Sequence, residues 1–265
     1  MKPLPPLDLA ALAFFIVAWT GYAIAVEWGE QRQGGLNARM HRYREVWMRR
    51  ALAREVRMVD TQIMAALQSG TAFFASTTLL AVGGALTLLR STGEILAVMA
   101  DLPFGIVTTQ GQWELKTIGL IVVFIYAFFK FAWAYRLYNY VSIMLGAMPF
   151  AADKETPEAE AHVMRATRLF QTAGTNFNRG QRAFFFALGY LGWFAGPLEL
   201  MASTTAVVVV MWRRQFASPA QRALMFPAKH DPEKACPREG GGCRLFGQDH
   251  AQNAKAPEKT PSSGR

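Results

Sequence analysis

Four long apolar runs constrain the fold of this chain more than any other feature of its sequence. They cover residues 7–26, 70–89, 117–139 and 184–212. A helix of about twenty apolar residues crosses the roughly 30 Å hydrocarbon core of a bilayer, whereas a soluble core would mix apolar and polar positions at a period of 3.6 or 2. The runs therefore predict an all-α integral membrane protein, a helical bundle with about four transmembrane helices in a membrane domain over residues 1–217.

A basic amphipathic helix is expected between the first two runs, over residues 37–67. Apolar residues recur there at steps of three and four, and arginines occupy the other faces. The apolar stripe consists of Met48, Leu52, Val56, Val59 and Ile63. Two interpretations are open: a solvated charged face on a helix that continues into the membrane, or an interfacial helix whose arginines bind lipid phosphates.

A second amphipathic helix is expected to begin after Thr156. A capping hydroxyl, a proline at the first turn and an acidic group near the positive end of the helix dipole stand in order at Thr156, Pro157 and Glu158. The apolar face of this helix is predicted to carry Val163, Ala166, Phe170 and Ala173. A turn is expected at residues 176–181, before the last run.

The last run, residues 184–212, is long for a single crossing and contains Gly196 and Pro197 near its middle. One tilted, kinked helix accounts for this length. It is preferred to a re-entrant hairpin, because only these two residues interrupt the apolar pattern. Residues 218–265 are rich in proline, glycine and charge, so this tail is predicted to be disordered.

The distribution of basic residues predicts the orientation of the chain. Residues 27–69 contain eight and residues 136–183 contain six, against two in residues 90–116. The first and third loops are therefore placed in the cytoplasm, which puts both termini outside when there are four spans. Arg213 and Arg214, directly after the last run, contradict that path, unless the tail is exported or the last run does not cross once.

Two charged side chains inside apolar runs, Lys130 and Glu199, are candidates for function. A lone charge at that depth is costly, so an interhelical pair is expected, either as a structural contact or as part of an ion path. The alternative is that each side chain reaches water independently, with Lys130 extending to the interface if its helix ends early. Thr77, in the second run, belongs to a group of hydroxyls that suits helix packing or a polar pathway.

Other polar candidates lie near the ends of the runs. Arg54, Arg57 and Asp60 are about one helical turn apart and form a possible ion-pair ladder. Arg136 and Asn139 stand where the aromatic third run meets the cytoplasm, where arginine anchors a helix or binds a lipid phosphate. The net charge is +9. Because the arginines flank apolar runs, anionic lipid headgroups are the expected partner, and nucleic acid is not.

No catalytic motif is present in the sequence. The four histidines form no metal-binding pattern, and the chain lacks a nucleophile elbow, a phosphate loop and a dinucleotide fingerprint. No metal, cofactor or enzymatic activity is therefore predicted.

Several strings in order resemble the domain-of-unknown-function 599 family of bacterial membrane proteins, over about residues 7–218. They are Gly35-Leu36-Asn37, Arg44 with Trp47-Met48, the string from Arg54 to Gln62, Phe131-Ala132-Trp133 with Arg136, Tyr138-Asn139-Tyr140, Ala147-Met148-Pro149, the string from Phe177 to Arg182, Gly192-Trp193, and Arg213-Arg214-Gln215-Phe216. The resemblance implies a multi-span protein of the bacterial cytoplasmic membrane, and it adds Arg179 and Arg182 to the candidate residues. Glu199 stands where the family is expected to have an apolar residue.

Three functions remain as hypotheses. The first is a scaffold or assembly protein that binds lipid headgroups or partner proteins through its basic loops. The second is a small channel or transporter, formed as a homo-oligomer because four spans enclose little space. The third, a membrane-embedded enzyme, has no supporting motif.

Overall fold

A computed structural model describes residues 4–33, 35–100 and 109–216, together with the isolated positions 219 and 223. These residues form α-helices and short 3₁₀ turns, with no strand among them. The helices are α1 (Pro6–Gln33), α2 (Leu36–Leu52), α3 (Met58–Arg90), α4 (Thr92–Ala100), α5 (Gln110–Gly146), α6 (Pro157–Tyr190) and α7 (Pro197–Phe216). The all-α prediction is confirmed. The predicted tail, residues 218–265, lies outside the described residues apart from the two isolated positions.

Within the part of the chain that the structure describes, three helical segments are long and apolar enough to cross a membrane: Pro6–Gly29, Met58–Arg90 and Gln110–Gly146. They contain the first three apolar runs. Their outer faces carry large apolar side chains that no other helix covers, such as Val17, Leu80 and Val122, which are 68%, 77% and 60% exposed. Surfaces of this kind are expected to face lipid rather than water.

The long helices pack side by side, with α3 and α6 antiparallel to α5. α3 and α6 both pack along α5, with Phe74 stacked on Phe131. α1 runs in the same direction as α5, because Trp19 contacts Tyr126 edge to face while Lys116 reaches Asp8 near the start of α1. The result is a bundle whose helices share common levels along its axis.

Charged contacts mark two of these levels. Asp8 and Lys116 meet at the first, the N-terminal level. Glu27 meets Arg179 at the second, the basic level. Nineteen residues of α1 separate Asp8 from Glu27, a rise of about 28 Å, close to the roughly 30 Å of a hydrocarbon core. We call the part of the bundle between the two levels the apolar layer.

Beyond the basic level, the chain continues as a helical extension made of α2 and the adjoining halves of α3, α5 and α6. Its core includes Met48, Met64, Leu145, Val163 and Phe170, each at most 2% exposed. Thr156 caps α6, since its hydroxyl accepts a hydrogen bond from the backbone N–H of Ala159 at 3.3 Å. The predicted cap is therefore confirmed, and so is the buried face that carries Val163 and Phe170.

The last apolar run is a hairpin, so the prediction of one kinked helix over residues 184–212 is wrong. α6 ends at Tyr190, a 3₁₀ turn covers Leu191–Phe194, and α7 begins at Pro197. The hydroxyl of Ser203 donates to the carbonyl of Gly189 at 2.6 Å, although a continuous helix would separate these residues by about 21 Å. The hairpin forms because Gly189 leaves room for Val207, which would lie 3.1 Å from a Cβ atom there, and because proline suits the first turn of a new helix.

Two further expectations are also wrong. No turn forms at residues 176–181, because α6 continues through them, with Asn176 bonded to the carbonyl of Thr172 in the same helix. The helix expected over residues 37–67 breaks after Leu52, where the carbonyl of Ala51 accepts hydrogen bonds from the backbone N–H of Arg54 at 3.3 Å and from the side chain of Arg57 at 3.1 Å. Val56, Val59 and Ile63 of the predicted stripe are consequently exposed.

α2 does not lie flat along the basic level. It packs against α6 along the extension: Gln171 donates to the carbonyl of His41 at 3.2 Å, and Arg49 pairs with Glu160 at 2.8 Å.

Candidate functional site

A cavity of about 440 Å³ opens at the basic level, where five helices meet. The end of α1, the start of α2, α3, the middle of α6 and the end of α7 each contribute to its wall. The lining residues are Tyr22, Val26, Leu36, Asn37, Phe74, Asn178, Gln181, Arg182, Phe185, Met211, Arg214 and Gln215. We call this space the boundary cavity.

Two arginines give the boundary cavity its charge. Arg182, on α6, is 9% exposed and lies 3.7 Å from Glu27. Glu27 also pairs with Arg179, at the shorter distance of 2.8 Å. Arg214, on α7, is exposed at the rim, and its guanidinium lies 5.8 Å from the centre of the Phe185 ring. Among the lining residues that the structure describes, these two arginines carry the charge, and none is a carboxylate.

The rest of the wall is partly polar and mainly apolar. Side-chain amides of Asn37, Asn178, Gln181 and Gln215 supply further hydrogen-bond donors. Tyr22 and Val26, both buried, belong to the part of α1 inside the apolar layer. The cavity is therefore suited to an amphiphile whose anionic group sits at the basic level.

The predicted Lys130–Glu199 pair does not form, and that prediction is wrong. Glu199 is exposed in the first turn of α7, and its carboxylate folds back beside Gly196. This position is near the N-terminal level, whereas Lys130 is 14 residues further along α5 than Lys116, a rise of about 21 Å. Lys130 instead lies 5.4 Å from the centre of the Tyr126 ring. The hydroxyl of Thr77 donates to the carbonyl of Phe73 in its own helix at 2.8 Å.

A different buried ion pair, Asp8–Lys116, lies at the N-terminal level. These residues are 8% and 4% exposed, and Lys116 Nζ is 3.4 Å from Asp8 Oδ1. Trp193 completes the arrangement: its carbonyl accepts from Lys116 at 2.9 Å, and its indole N–H donates to Asp8 at 2.6 Å. The cluster fixes the α6–α7 hairpin turn to α1 and α5. The sequence showed both charges, but only at the ends of apolar runs, and nothing in it paired them.

The expected ladder of Arg54, Arg57 and Asp60 forms only in part. Asp60 is fully buried, and one of its oxygens accepts hydrogen bonds from Arg54 and from Trp47. Arg57 does not join this pair, because it donates to the carbonyl of Pro149 at 2.6 Å. The cluster therefore holds the α2–α3 connection against the α5–α6 corner.

Arg136 and Asn139, which both lie on α5, contact different neighbours. Arg136 is exposed and donates to the hydroxyl of Tyr140 at 2.6 Å. Asn139 accepts from Gln68, on α3, at 2.8 Å. Neither of them lines the boundary cavity.

In the extension, Arg44 packs its guanidinium against Gly174 on α6, 5.3 Å from the centre of the Phe170 ring. Burial lowers the pKa of Arg44. Burial, and then the charge of Arg44, lower the pKa of His41. His41 is therefore held neutral over a wider pH range than a free imidazole.

Sequence reasoning selected Arg182 for this site but missed most of its other lining residues. Asn37, Asn178, Gln181, Arg214 and Gln215 all stand in the strings that carry the family resemblance. Three separate strings of conspicuous polar residues were the available signal. The structure brings these strings together around one cavity.

Among the side chains that the structure describes, no group of three His, Cys, Asp or Glu residues lies close enough to hold a metal ion.

A family model described as "Protein of unknown function, DUF599" matches residues 10–220. No curated protein and no solved structure matches the chain.

Proposed function

The chain belongs to the DUF599 family of proteins of unknown function, and we propose that it is a multi-pass protein of the bacterial cytoplasmic membrane that binds an anionic lipid headgroup in the boundary cavity. In this proposal the extension is a cytoplasmic scaffold, held at the membrane surface by the bound lipid. Arg182 and Arg214 are the residues that contact the headgroup.

The observation that carries the proposal is the position of this charged cavity at the edge of the apolar layer. Lipid phosphates lie just outside the hydrocarbon core, which is the level of Glu27 and Arg179. Guanidinium groups bind phosphate through paired N–H donors. Arginines at that level, beside an apolar wall, are what a phospholipid requires.

The hairpin suggests a topology of five passes rather than four. α1, α3 and α5 each cross the apolar layer, and the end of α6 and α7 cross it in opposite directions. The end of α7 then emerges at the basic level, because a Cβ atom on Gly29 would lie 2.9 Å from the Phe216 ring. Residues 27–69, residues 136–183 and Arg213–Arg214 share one side, which the positive-inside rule assigns to the cytoplasm.

The tip of the extension supports a scaffold role. Val56, Met58 and Phe150 are 73%, 68% and 79% exposed there, and they adjoin one another because Arg57 binds the carbonyls of Met148 and Pro149. Exposed apolar patches of this kind suit a protein partner, either a second copy or another membrane protein. The channel hypothesis has no comparable support, since Lys130 and Glu199 lie at different levels.

The lipid proposal is tested by native mass spectrometry of the detergent-purified protein with phosphatidylglycerol and phosphatidylcholine. We expect retention of the anionic lipid, reduced several-fold in Arg214→Gln. Arg213→Gln is the matched control, because it removes the same charge one residue away from a side chain outside the cavity wall. Equal retention of both lipids by the native protein would refute the proposal.

The topology is tested separately with reporters fused after Phe216 and before the first helix. A fluorescent protein that matures only in the cytoplasm should be active at the C-terminal fusion, and a periplasmic phosphatase should be active at the N-terminal one. The reverse result at the C-terminal fusion would contradict five passes.

A further inference from the structure

We infer that the protein forms a parallel homodimer, in which the outer side of α3 packs against the same side of α3 in a second copy. This inference names the partner for the proposed scaffold. It rests on the membrane position of the bundle given under the proposed function, and it does not depend on lipid binding in the boundary cavity.

α3 carries one exposed surface along its whole length. Among the membrane-length segments that the structure describes, it is the least buried. Met64, Thr71, Thr78 and Ala85 are buried and recur every seven residues, on the side that packs into the bundle. On the opposite side, exposed residues recur at alternating steps of three and four: Val59, Gln62, Ala66, Ser69, Phe73, Ser76, Leu80, Gly83 and Thr87. We call these nine residues the outer α3 face.

The first part of α3 lies beyond the basic level and exposes no charged side chain there. Gln68 donates to Asn139 at 2.8 Å, and Asn139 is 23 residues further along α5 than Lys116, a rise of about 35 Å. Residues 58–68 therefore lie outside an apolar layer that is roughly 30 Å thick. The single charged residue among them, Asp60, is fully buried.

The neighbouring helices of the extension do expose charge. The exposed positions of α2 and α6 include Arg42, Arg49, Arg50, Glu158, Arg165 and Arg168. α3 instead exposes Val59 and Ile63, which are 64% and 43% accessible. Lipid does not reach these two side chains, because they lie about 14 Å and 8 Å beyond Gln68 along the helix. An exposed apolar surface in water is typical of a protein interface.

The partner must match the outer α3 face on both sides of the basic level. Phe73 and Leu80, which are 66% and 77% exposed, continue the face into the apolar layer. The surface from Val59 to Thr87 is about 42 Å long, so a soluble partner would cover only its extension half. A second α3 covers both halves with the same residues, because all copies in one membrane share one orientation.

The outer α3 face is compatible with its own copy. A two-fold axis places the residues of such a face opposite themselves, so a charged residue would meet a like charge, and none of the nine is charged. Steps of three and four average 3.5 residues, the period at which two helices wind around each other with a left-handed twist. Ser69, Ser76 and Gly83 alternate with the larger Phe73 and Leu80, which lets the two helices approach closely.

Two hydroxyl groups on the face are available for bonds between helices. Thr71, Thr77 and Thr78 each donate to a carbonyl of their own helix. Within the part of the chain that the structure describes, Ser69 and Ser76 make no such bond. Hydroxyls in a bilayer bond across helix pairs, and the two-fold axis brings each of these serines close to the same serine of the second copy.

Disulfide cross-linking of the full-length protein in isolated membranes tests the interface. Cys236 and Cys243 are replaced by serine, and single cysteines are introduced as Gln62→Cys in the extension and Ser76→Cys in the apolar layer. We expect a cross-linked dimer from each of them. Thr61→Cys is the matched control, because Thr61 is also exposed but points about 100° around the helix from Gln62. It should cross-link several-fold less.

A charge on the outer α3 face tests whether this contact drives association. Val59→Glu places two carboxylates opposite each other and should weaken dimerisation at least about tenfold. Single-molecule photobleaching in vesicles of phosphatidylethanolamine and phosphatidylglycerol, at increasing lipid dilution, measures this change. Thr61→Glu adds the same charge away from the face and should leave dimerisation unchanged. Both positions are near the start of α3, where a negative charge favours the helix, and circular dichroism checks the fold.

The outcomes separate this inference from the proposed function. Cross-linking at neither Gln62→Cys nor Ser76→Cys overturns the homodimer, and cross-linking at Gln62→Cys alone overturns an interface that continues into the apolar layer. Equal cross-linking from Thr61→Cys, or no effect of Val59→Glu, overturns the assignment to the outer α3 face. None of the nine residues lines the boundary cavity, so retention of phosphatidylglycerol by the native protein tests lipid binding independently of these results.

Discussion

Replacing Lys116 with methionine tests whether the buried cluster at the N-terminal level stabilises the bundle. Methionine keeps much of the volume of lysine but removes its charge. The substitution would leave the Asp8 carboxylate with only the indole of Trp193 as a partner, and it would leave the Trp193 carbonyl unpaired in a buried site. All three residues are at most 8% exposed, so water cannot replace the lost contacts.

The expected loss follows from these contacts. Breaking a buried ion pair from one side costs about 3–5 kcal/mol, and a hydrogen bond to a charged group contributes about 1.5–3 kcal/mol. The two figures count the same ammonium group, so they overlap and do not add. We expect the unfolding free energy to fall by about 3 kcal/mol, which is roughly a hundredfold in the unfolding equilibrium constant.

Lys130→Met is the matched control, because both lysines lie on α5 and both stand 5.4 Å from the centre of an aromatic ring. No ion pair holds Lys130 among the side chains described, so its loss should cost less than about 1 kcal/mol. Equilibrium unfolding in mixed micelles, followed by circular dichroism, measures both. The double variant Asp8→Asn/Lys116→Met should recover at least about 1 kcal/mol of the loss. Equal losses from the two lysine variants would refute the reasoning.

Three further predictions concern local structure. Gly192→Ala places a methyl group 2.7 Å from the backbone carbonyl of Glu199, so it should lower the unfolding free energy by about 1–3 kcal/mol, measured by the same unfolding assay. Because burial and Arg44 lower the pKa of His41 in the folded state, the unfolded chain binds this proton more readily. Stability should therefore fall as the pH drops below about 6.5, and His41→Gln should remove that fall between pH 7.5 and 5.5. Thr156→Ala removes the cap of α6 and should cost about 1 kcal/mol, seen as a lower melting temperature in detergent.

Local chemistry made some elements predictable from sequence. The first three apolar runs lie in helices because each has the length and the continuous apolar composition of a helix that spans the hydrocarbon core. Thr156 caps a helix because its hydroxyl and the following proline act on the same turn. None of these features depends on what packs against them.

The predictions that failed depend on tertiary contacts. The apolar stripe over residues 48–63 has a helical period, yet the helix ends after Leu52. There the side chain of Arg57 donates hydrogen bonds to the carbonyl of Ala51 and to the carbonyl of Pro149 at the α5–α6 corner. Asp8 and Lys116 are distant in sequence, and only the antiparallel bundle brings them together. The positions of Lys130 and Glu199 within their apolar runs favour a pair, but the sequence does not give the direction of each helix, which places the two charges at different levels.

The last apolar run shows how charge carries information that hydropathy lacks. Apolar composition indicates that a segment lies in an apolar environment, but it does not give the direction of the chain. One helix and a hairpin are therefore equally compatible with the composition of residues 184–212. Arg213 and Arg214 supply the missing information. A path of four spans would put them on the opposite side of the membrane from the other basic segments, which the distribution of charge disfavours. A hairpin returns them to the basic level, where Phe216 meets Gly29.

The hairpin and the boundary cavity therefore depend on each other. Arg182 is on α6 and Arg214 is on α7, and they line one cavity only because α7 returns beside α1. If the last run crossed once, Arg214 would lie a full layer thickness from Arg182, and the two guanidinium groups that line the cavity would never meet. A C-terminal reporter on the opposite side from the extension would consequently remove the physical basis for lipid binding in the boundary cavity as well as the five-pass topology.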